Sequence, residues 1–194
     1  MRTRARNTLN KENKKNLILD TAKELFLSNT SAIPTASSIA KSSSMTKGNL
    51  YTYFQSKEEL FYNLLFEEYK RWFDEVLNIF DYSYMLEVRL FEDFYRNELL
   101  VKLNTLYHSQ LKSKVPNNKK EKFENFIREN LNELANRISP KSHKTRTEVL
   151  ILLYSSISLI IGSYQFESEF DDSFDSINSS DIYIPRLMAM WDIF

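Results

Sequence analysis

The fold of this chain is decided by residues 16–60, which read NLILDTAKELFLSNTSAIPTASSIAKSSSMTKGNLYTYFQSKEEL. In the first part of this stretch, apolar residues recur every three or four positions, as in a helix with one buried face. The expected inward residues are Leu17, Ile18, Ala22, Leu25 and Phe26. We therefore predict an amphipathic first helix over about residues 13–28, preceded by a flexible arm over residues 1–10.

Two short helices are predicted next, on either side of a turn. Thr35 is a suitable N-cap for a helix that ends near Lys41, because its hydroxyl can accept a hydrogen bond from the first helical turn. The serine run 42–44 is the predicted turn, and Thr46 is the N-cap of a helix through Phe54. Three helices in this order predict a helix-turn-helix head.

The last of these helices has an apolar and a polar face. Its inward residues are Met45, Leu50 and Phe54. Its outward residues are Lys47, Asn49, Tyr51, Thr52 and Tyr53. Ammonium and amide groups suit base edges, hydroxyls suit phosphates, and the major groove of DNA admits one α-helix. The pattern therefore predicts a recognition helix for double-stranded DNA.

The charge is unevenly distributed along the chain. Residues 1–57 carry ten Lys and Arg against three Asp and Glu, a net charge of +7. Since the whole chain has 26 of each kind, the remainder carries −7. A basic segment on an acidic body is typical of a nucleic-acid-binding head, because phosphate neutralisation dominates such binding. Charge alone supports a basic surface without a partner equally well.

The composition favours an all-α protein. Two glycines, four prolines and no alternating pattern disfavour a sheet with many tight turns. The absence of cysteine excludes a disulfide scaffold, and it suits the cytoplasm. With no nucleophile–base pair, metal cluster or phosphate loop, we interpret the chain as a non-enzyme without metal or cofactor. The most apolar run, Val149–Ile161, is shorter than the about 20 residues of a membrane span, so no membrane association is expected.

The rest of the chain predicts a larger helical domain. Ser56 and Glu59 form a capping box before a helix over about residues 57–80. Further helices are predicted over about residues 85–115 with a break near 95–98, 119–138, 144–166 and 182–191, with a loop over 167–180. We expect two domains, residues 1–56 and residues 57–194.

Four groups of residues at fixed spacing support a more specific assignment. They are Leu25-Phe26, Ile39-Ala40, Lys47-Gly48-Asn49-Leu50-Tyr51-Thr52-Tyr53-Phe54 and Ser56-Lys57-Glu58-Glu59-Leu60. Together they make the segment similar to the DNA-binding domain of the TetR family of bacterial regulators, over roughly a quarter of the chain. The sequence departs from the family at Thr30 and Ser44, where the family usually has glycine.

The resemblance implies roles for individual residues at DNA. Thr35, Tyr51, Tyr53 and Lys57 correspond to positions that contact phosphates. Ser37, Lys47, Asn49 and Thr52 correspond to positions that face base edges. An N-terminal arm with Arg2, Arg4 and Arg6 either reaches an adjacent minor groove or is a tail with only diffuse attraction for DNA.

The resemblance also implies a homodimer that senses an unknown small-molecule ligand. The expected dimer contacts are Thr147–Ile161 and Ile184–Ile193. In the first of these, the expected contact stripe is Val149, Leu152, Leu153, Ile157 and Ile160, and burial in the chain's own core is the competing explanation. The implied function is a ligand-responsive regulator, a repressor by family analogy, that binds a pseudo-palindromic operator. An all-helical enzyme and a helical adaptor that does not bind DNA remain as alternatives.

Overall fold

The described residues of the chain fold almost entirely into helices. The computed structural model describes residues 2–28, 33–79, 86–170 and 179–191, and these described residues contain no strand. The α-helices are α1 (Arg2–Leu27), α2 (Ala36–Ser42), α3 (Lys47–Leu50), α4 (Lys57–Ile79), α5 (Leu86–Arg96), α6 (Glu98–Leu106), α7 (Asn117–Ile138), α8 (Arg146–Phe170) and α9 (Ser179–Trp191). A π-helical turn, Tyr107–Leu111, follows α6 directly. The all-α prediction is confirmed.

Helix α1 is longer than the sequence pattern indicated. It begins at Arg2, so the flexible arm predicted over residues 1–10 is wrong for residues 2–10. No glycine or proline occurs before Ile18, and nothing in the local sequence therefore ends the helix. Leu17 was expected to face inward but is 48% exposed, and Ile18 is the first buried residue among those of α1 whose side chains are described.

Helix α4 is the structural element that connects the head to the body. Phe26 of α1 packs against Phe61 of α4, with ring centroids 5.3 Å apart. Further along α4, Trp72 and Phe73 are fully buried, and the Trp72 ring lies 5.0 Å from that of Phe94 in an edge-to-face arrangement. Each buried aromatic removes about 150–250 Å² from water, so these contacts hold α4 firmly in both parts of the protein.

The predicted break near residues 95–98 is confirmed at Asn97, between α5 and α6. The Asn97 side chain accepts a hydrogen bond from the N–H of Leu100 at 3.1 Å and so caps α6. Asparagine is favoured at this position because its carbonyl replaces the missing helical acceptor. The chain can therefore end one helix and begin the next within a single residue.

A buried carboxylate, that of Glu68 in α4, connects three of these helices. It accepts hydrogen bonds from Lys23 of α1 at 3.2 Å, from Asn97 at 3.0 Å, and from Arg71 one turn further along α4. Burial alone would raise the pKa of Glu68, but the hydrogen bonds from Arg71 and Asn97 and the charges of Arg71 and Lys23 outweigh it and lower that pKa. The ionised carboxylate thus stabilises the contact between head and body.

Helix α8 is apolar on every side and packs against α6, α7 and α9. The contact stripe predicted from the sequence is wrong in detail, because Val149, Leu153 and Ile160 are fully buried within the chain. The exposed apolar residues of α8 are instead Ile151 and Tyr154, together with Phe166. When a helix is apolar on all sides, the periodicity of its sequence cannot indicate which side packs against the core of the same chain.

The end of the chain also differs from the prediction of a loop over residues 167–180. Helix α8 continues to Phe170 and α9 starts at Ser179, while residues 171–178 lie outside the described part. Trp191 anchors α9, since its indole N–H donates to the buried Ser156 hydroxyl at 3.0 Å.

By length and composition alone, Arg146–Phe166 could cross a membrane, with a mean hydropathy of 1.7, and about a third of it is buried in the protein.

Replacing Glu68 with glutamine tests the role of this carboxylate. Since folding lowers its pKa, the ion pairs stabilise the protein above the unfolded value near 4.5, and this stabilisation disappears as the pH falls through the folded value. Because Lys23 and Arg71 are partly exposed, we expect Glu68→Gln to lower the free energy of unfolding by about 1–2 kcal/mol at pH 7. The difference from the wild type should shrink in acid, as measured by urea denaturation across the pH range.

The neighbouring substitution Glu67→Gln is the matched control, since Glu67 pairs with Lys70 on the exposed side of the same helix. We expect it to change stability by less than about 1 kcal/mol. A loss at Glu68→Gln that is equally large at acidic and neutral pH would contradict the role given to the ionised carboxylate.

Candidate nucleic-acid interface

The turn between α2 and α3 sets the position of the short helix α3. Ser44 has a positive φ of 54°, in the left-handed region. The Met45 N–H donates to the Ala40 carbonyl at 2.8 Å, and the Ser44 N–H donates to the Lys41 carbonyl at 3.1 Å. These are the two bonds of a Schellman motif, which reverses the chain directly after a helix. Serine thus occupies a conformation that glycine adopts without strain.

Both predicted N-caps are confirmed. The Thr35 hydroxyl accepts a hydrogen bond from the Ser38 N–H at 3.1 Å, and the Thr46 hydroxyl accepts one from the Asn49 N–H at 3.2 Å. These bonds satisfy N–H groups that have no partner inside the helix. The starts of α2 and α3 are therefore encoded locally.

Helix α3 is shorter than predicted, ending at Leu50 rather than at Phe54. Beyond Leu50 the chain continues as tight turns, with the Thr52 N–H donating to the Asn49 carbonyl at 3.1 Å and the Tyr53 N–H donating to the Leu50 carbonyl at 3.0 Å. The Thr52 hydroxyl also donates to the Asn49 carbonyl at 2.7 Å. A side-chain donor at that carbonyl competes with regular helical bonding, which favours the tighter geometry.

The two faces of this segment are those expected. Leu50 and Phe54 each expose at most 1% of their surface, and Met45 is partly buried against the core. Lys47, Asn49 and Thr52 are exposed, as is Tyr51 at 41%. Tyr53 is only half-buried and packs partly against the core.

Five of the eight predicted site residues lie around one open cleft of about 460 Å³. They are Thr35, Ser37, Lys47, Tyr51 and Lys57. Within it, the Lys47 Nζ lies 6.0 Å from the centre of the Tyr51 ring. Asn49, Thr52 and Tyr53 are not part of the cleft lining.

Four further residues that were not predicted for the cleft also line it, namely Ala36, Gln55, Ser56 and Glu58. Ala36 begins α2, and the other three surround the start of α4. The predicted N-cap at Ser56 was the signal that could have located Gln55, Ser56 and Glu58. Capping places the start of α4 next to the end of the α3 segment, residues 46–54.

The start of α4 is held from both sides. The Glu59 N–H donates to the Ser56 hydroxyl at 3.0 Å, while the Glu59 carboxylate accepts from the Gln55 N–H at 2.7 Å. The capping box is therefore confirmed, with the carboxylate reaching one residue further back than usual. Glu59 is buried and also pairs with Lys119 of α7, whose carbonyl accepts from the Tyr62 hydroxyl at 2.8 Å.

No group of three or more His, Cys, Asp or Glu comes together in the described part of the chain. The polar groups around the cleft are hydroxyls, the Gln55 amide, the ammonium groups of Lys47 and Lys57, and the carboxylate of Glu58. With two cations against one anion and several hydrogen-bond donors, such a surface suits an extended anionic partner.

Comparison with known proteins supports this interpretation of the head. Residues 18–64 match the family described as bacterial regulatory proteins, tetR family. The HTH-type transcriptional regulator QacR of Staphylococcus aureus (strain Mu50 / ATCC 700699) is 45% identical over 60 residues, which cover 31% of this chain and 32% of that protein. The chain thus matches only about a third of the length of this relative.

The whole fold also resembles solved structures. The fatty acid degradation regulator FadR from Bacillus halodurans superposes with a TM-score of 0.61 at 16% identity, covering 92% of this chain and 94% of that chain. A TetR family transcription regulator from Marinobacter aquaeolei VT8 gives a TM-score of 0.54 at 16% identity, covering 99% and 97%. At this level of identity the similarity shows the fold, a helix-turn-helix head on a larger helical domain.

The strained turn leads to a stability prediction. Replacing Ser44 with glycine should raise the free energy of unfolding by up to about 1 kcal/mol, because relief of the left-handed strain exceeds the added entropy of the unfolded chain. Urea denaturation of the full chain measures the change.

The matched control is Ser42→Gly, two residues earlier in the last turn of α2. There the backbone is helical, so glycine should destabilise by about 0.5–1 kcal/mol. If both substitutions destabilise the protein, the strain attributed to Ser44 is absent.

Proposed function

We propose that the protein is a DNA-binding transcriptional regulator, because its N-terminal domain belongs to the tetR family of bacterial regulatory proteins. The observation that carries the proposal is the outward polar face of the α3 segment, where Lys47, Asn49 and Tyr51 are exposed above buried Leu50 and Phe54. Its site of action is the cytoplasm, where the DNA lies in a bacterium.

The proposed contacts divide into two kinds. Ser37, Lys47, Asn49 and Thr52 face base edges in the major groove, where amide and ammonium groups distinguish base pairs. Thr35, Tyr51, Tyr53 and Lys57 contact phosphates and set the register of the head on the duplex. The cleft that gathers five of these residues supports a common partner, whereas Tyr53 is half-buried and lies outside the cleft lining.

The proposal includes a homodimer formed through α8 and α9. The exposed apolar side of α8 and the adjacent side of α9 border a shallow apolar cleft of about 750 Å³, lined by Tyr154, Ser158, Leu159, Ala189 and Met190 among others. Ile151, at 59% exposure, lies in an adjoining cleft whose lining also includes His143, Lys144 and Glu148, and the two clefts share Met190. A second copy would remove this surface from water, and the small side chains allow close approach of helices. Two heads about 34 Å apart then match a pseudo-palindromic operator.

Sensing is proposed to act through the contacts between head and body. Glu68 connects α1 to the start of α6 through Lys23 and Asn97, and Glu59 connects the start of α4 to Lys119 of α7. A small molecule that prefers a different arrangement of α6 or α7 relative to α4 would therefore change the spacing of the heads. Its differential affinity for the two arrangements releases the protein from DNA and relieves repression.

Substitutions in the α3 segment test the proposed DNA contacts. Lys47→Ala or Asn49→Ala should relax discrimination at particular base pairs, since a good base contact provides about 1–3 kcal/mol. Lys57→Ala should weaken binding to all sequences equally. The slope of log affinity against log salt should become shallower by the amount expected for about one phosphate contact. Binding selection on random duplex DNA, repeated at several salt concentrations, measures both effects.

Asn118→Ala is a suitable control, because this exposed amide lies at the start of α7 and outside the cleft. It should leave the selected sequence and the affinity unchanged. Wild-type protein that selects no sequence, or variants of Lys47 and Asn49 that select the same sequence with equal stringency, would contradict the proposal.

A charge on the exposed side of α8 tests the dimer. Ile151→Glu should raise the dimer dissociation constant at least about 100-fold, because each copy would bury an added carboxylate in the proposed contact. Analytical ultracentrifugation measures the dissociation, and circular dichroism should show an unchanged fold since the side chain is exposed.

Asn125→Glu, on the exposed side of α7, adds the same charge away from this surface and should leave the dimer intact. A stable dimer in the Ile151→Glu protein would place the interface elsewhere.

A further inference from the structure

The first half of α1 extends beyond the core of the head. Residues 10–14, 16 and 17 are all exposed, Lys15 is half-buried, and Ile18 is the first residue of α1 to be buried among those whose side chains are described. A helix of several turns here has no apolar face of its own to bury. Such a segment gains little from packing, and its partner must be sought outside the chain.

The extension carries a basic stripe. Lys11, Lys14 and Lys15 are spaced three and four residues apart, so they share one side of the helix. Ile18 and Ala22 continue the same stripe into the core, where α1 packs against α2 and α4. The same side of α1 is thus apolar within the head and cationic in the part of the helix that extends beyond the head.

These charges are not neutralised within the described part of the chain. None of the three lysines forms an ion pair with a described carboxylate, and Glu12 is the only acidic residue in the first sixteen. Arg2, Arg4 and Arg6 also lie in α1 by sequence position. Like charges at helical spacing repel each other, which favours an anionic partner.

We infer that the N-terminal extension of α1 is a second DNA-contacting element, which binds backbone phosphates beside the site read by the α3 segment. This inference rests on the proposed function and adds a sequence-independent contact to it. Lys15 and Arg2 are about 20 Å apart along the helix, at 1.5 Å per residue. Since duplex DNA carries one phosphate charge per about 1.7 Å of axis, an extension of this length can reach several phosphates.

Duplex DNA fits this surface better than a lipid membrane does. An interfacial helix needs a continuous apolar face opposite its cations, whereas Leu9 and Leu17 are the only large apolar residues in the described stretch 2–17. The extension is also continuous with the helix that packs on α2, and α2 with its N-cap provides Ser37 and Thr35 to the cleft. One rigid helix can therefore hold the lysines at a constant position relative to the head.

The test is the salt dependence of DNA binding by the full chain in which Lys11, Lys14 and Lys15 are all changed to glutamine, a good helix former. The matched control changes Lys114, Lys122 and Arg128, three exposed cations of the body, to glutamine. Affinities are measured at several salt concentrations, for the sequence chosen by selection and for a random duplex. Circular dichroism checks that both variants keep the wild-type helix content.

We expect the slope of log affinity against log salt to become shallower by about 0.9 for each lysine that contacts a phosphate, hence by about 2–3 per protomer. Affinity should fall about tenfold or more on both DNAs, so that the preference for the selected sequence is unchanged. Lys47→Ala would change that preference instead, which separates the extension from the recognition segment.

An unchanged slope, or an equal change in the control variant, overturns the inference. Loss of binding to phosphatidylglycerol vesicles without any change on DNA would overturn it too, in favour of a membrane surface. If the wild type selects no sequence but the slope on random duplex still falls, the extension binds DNA and the operator-binding function is what fails.

Discussion

A helix of a single turn has too few hydrogen bonds to persist in water, so the exposed face of α3 depends on what lies beneath it. Leu50 and Phe54 are almost completely buried, and they fix the middle and the end of the segment against the head. Thr46 and the turn at Ser44 then set where the segment starts and how it leaves α2. Because these anchors are apolar, the exposed side chains of the segment are not needed for packing and remain available for contacts outside the chain.

Two buried carboxylates on α4 extend this constraint from the head to the body. Glu59 pairs with Lys119 at the start of the helix, and Glu68 accepts bonds from Lys23 and Asn97 more than two turns later. A buried charge is strongly unfavourable without its partners, so α4 cannot shift far relative to its neighbours without replacing them. The same contacts that stabilise the fold thus couple the position of α4 to those of α1, α6 and α7.

Much of the head could be predicted because its signals are local. A threonine hydroxyl at Thr35 or Thr46 bonds to an N–H three residues away, and the capping box of Ser56 and Glu59 spans one turn. The break at Asn97 follows the same principle. Each of these bonds is determined by a few consecutive residues, and none depends on how distant parts of the chain pack. The exposure of Lys47 was predictable for a similar reason, because helical periodicity places it on the side opposite the buried residues.

By itself, then, the sequence determined the helical class, the caps and the polar face of the α3 segment. The tertiary structure decided how far α1 extends, that α3 ends at Leu50, and that Ile151 rather than Val149 faces outward on α8. The pairing of Glu59 with Lys119 also depends on it, since the two residues are 60 positions apart. Periodicity carries no information in a helix that is apolar all round, and only the packing of α6, α7 and α9 around α8 selects the side that remains exposed.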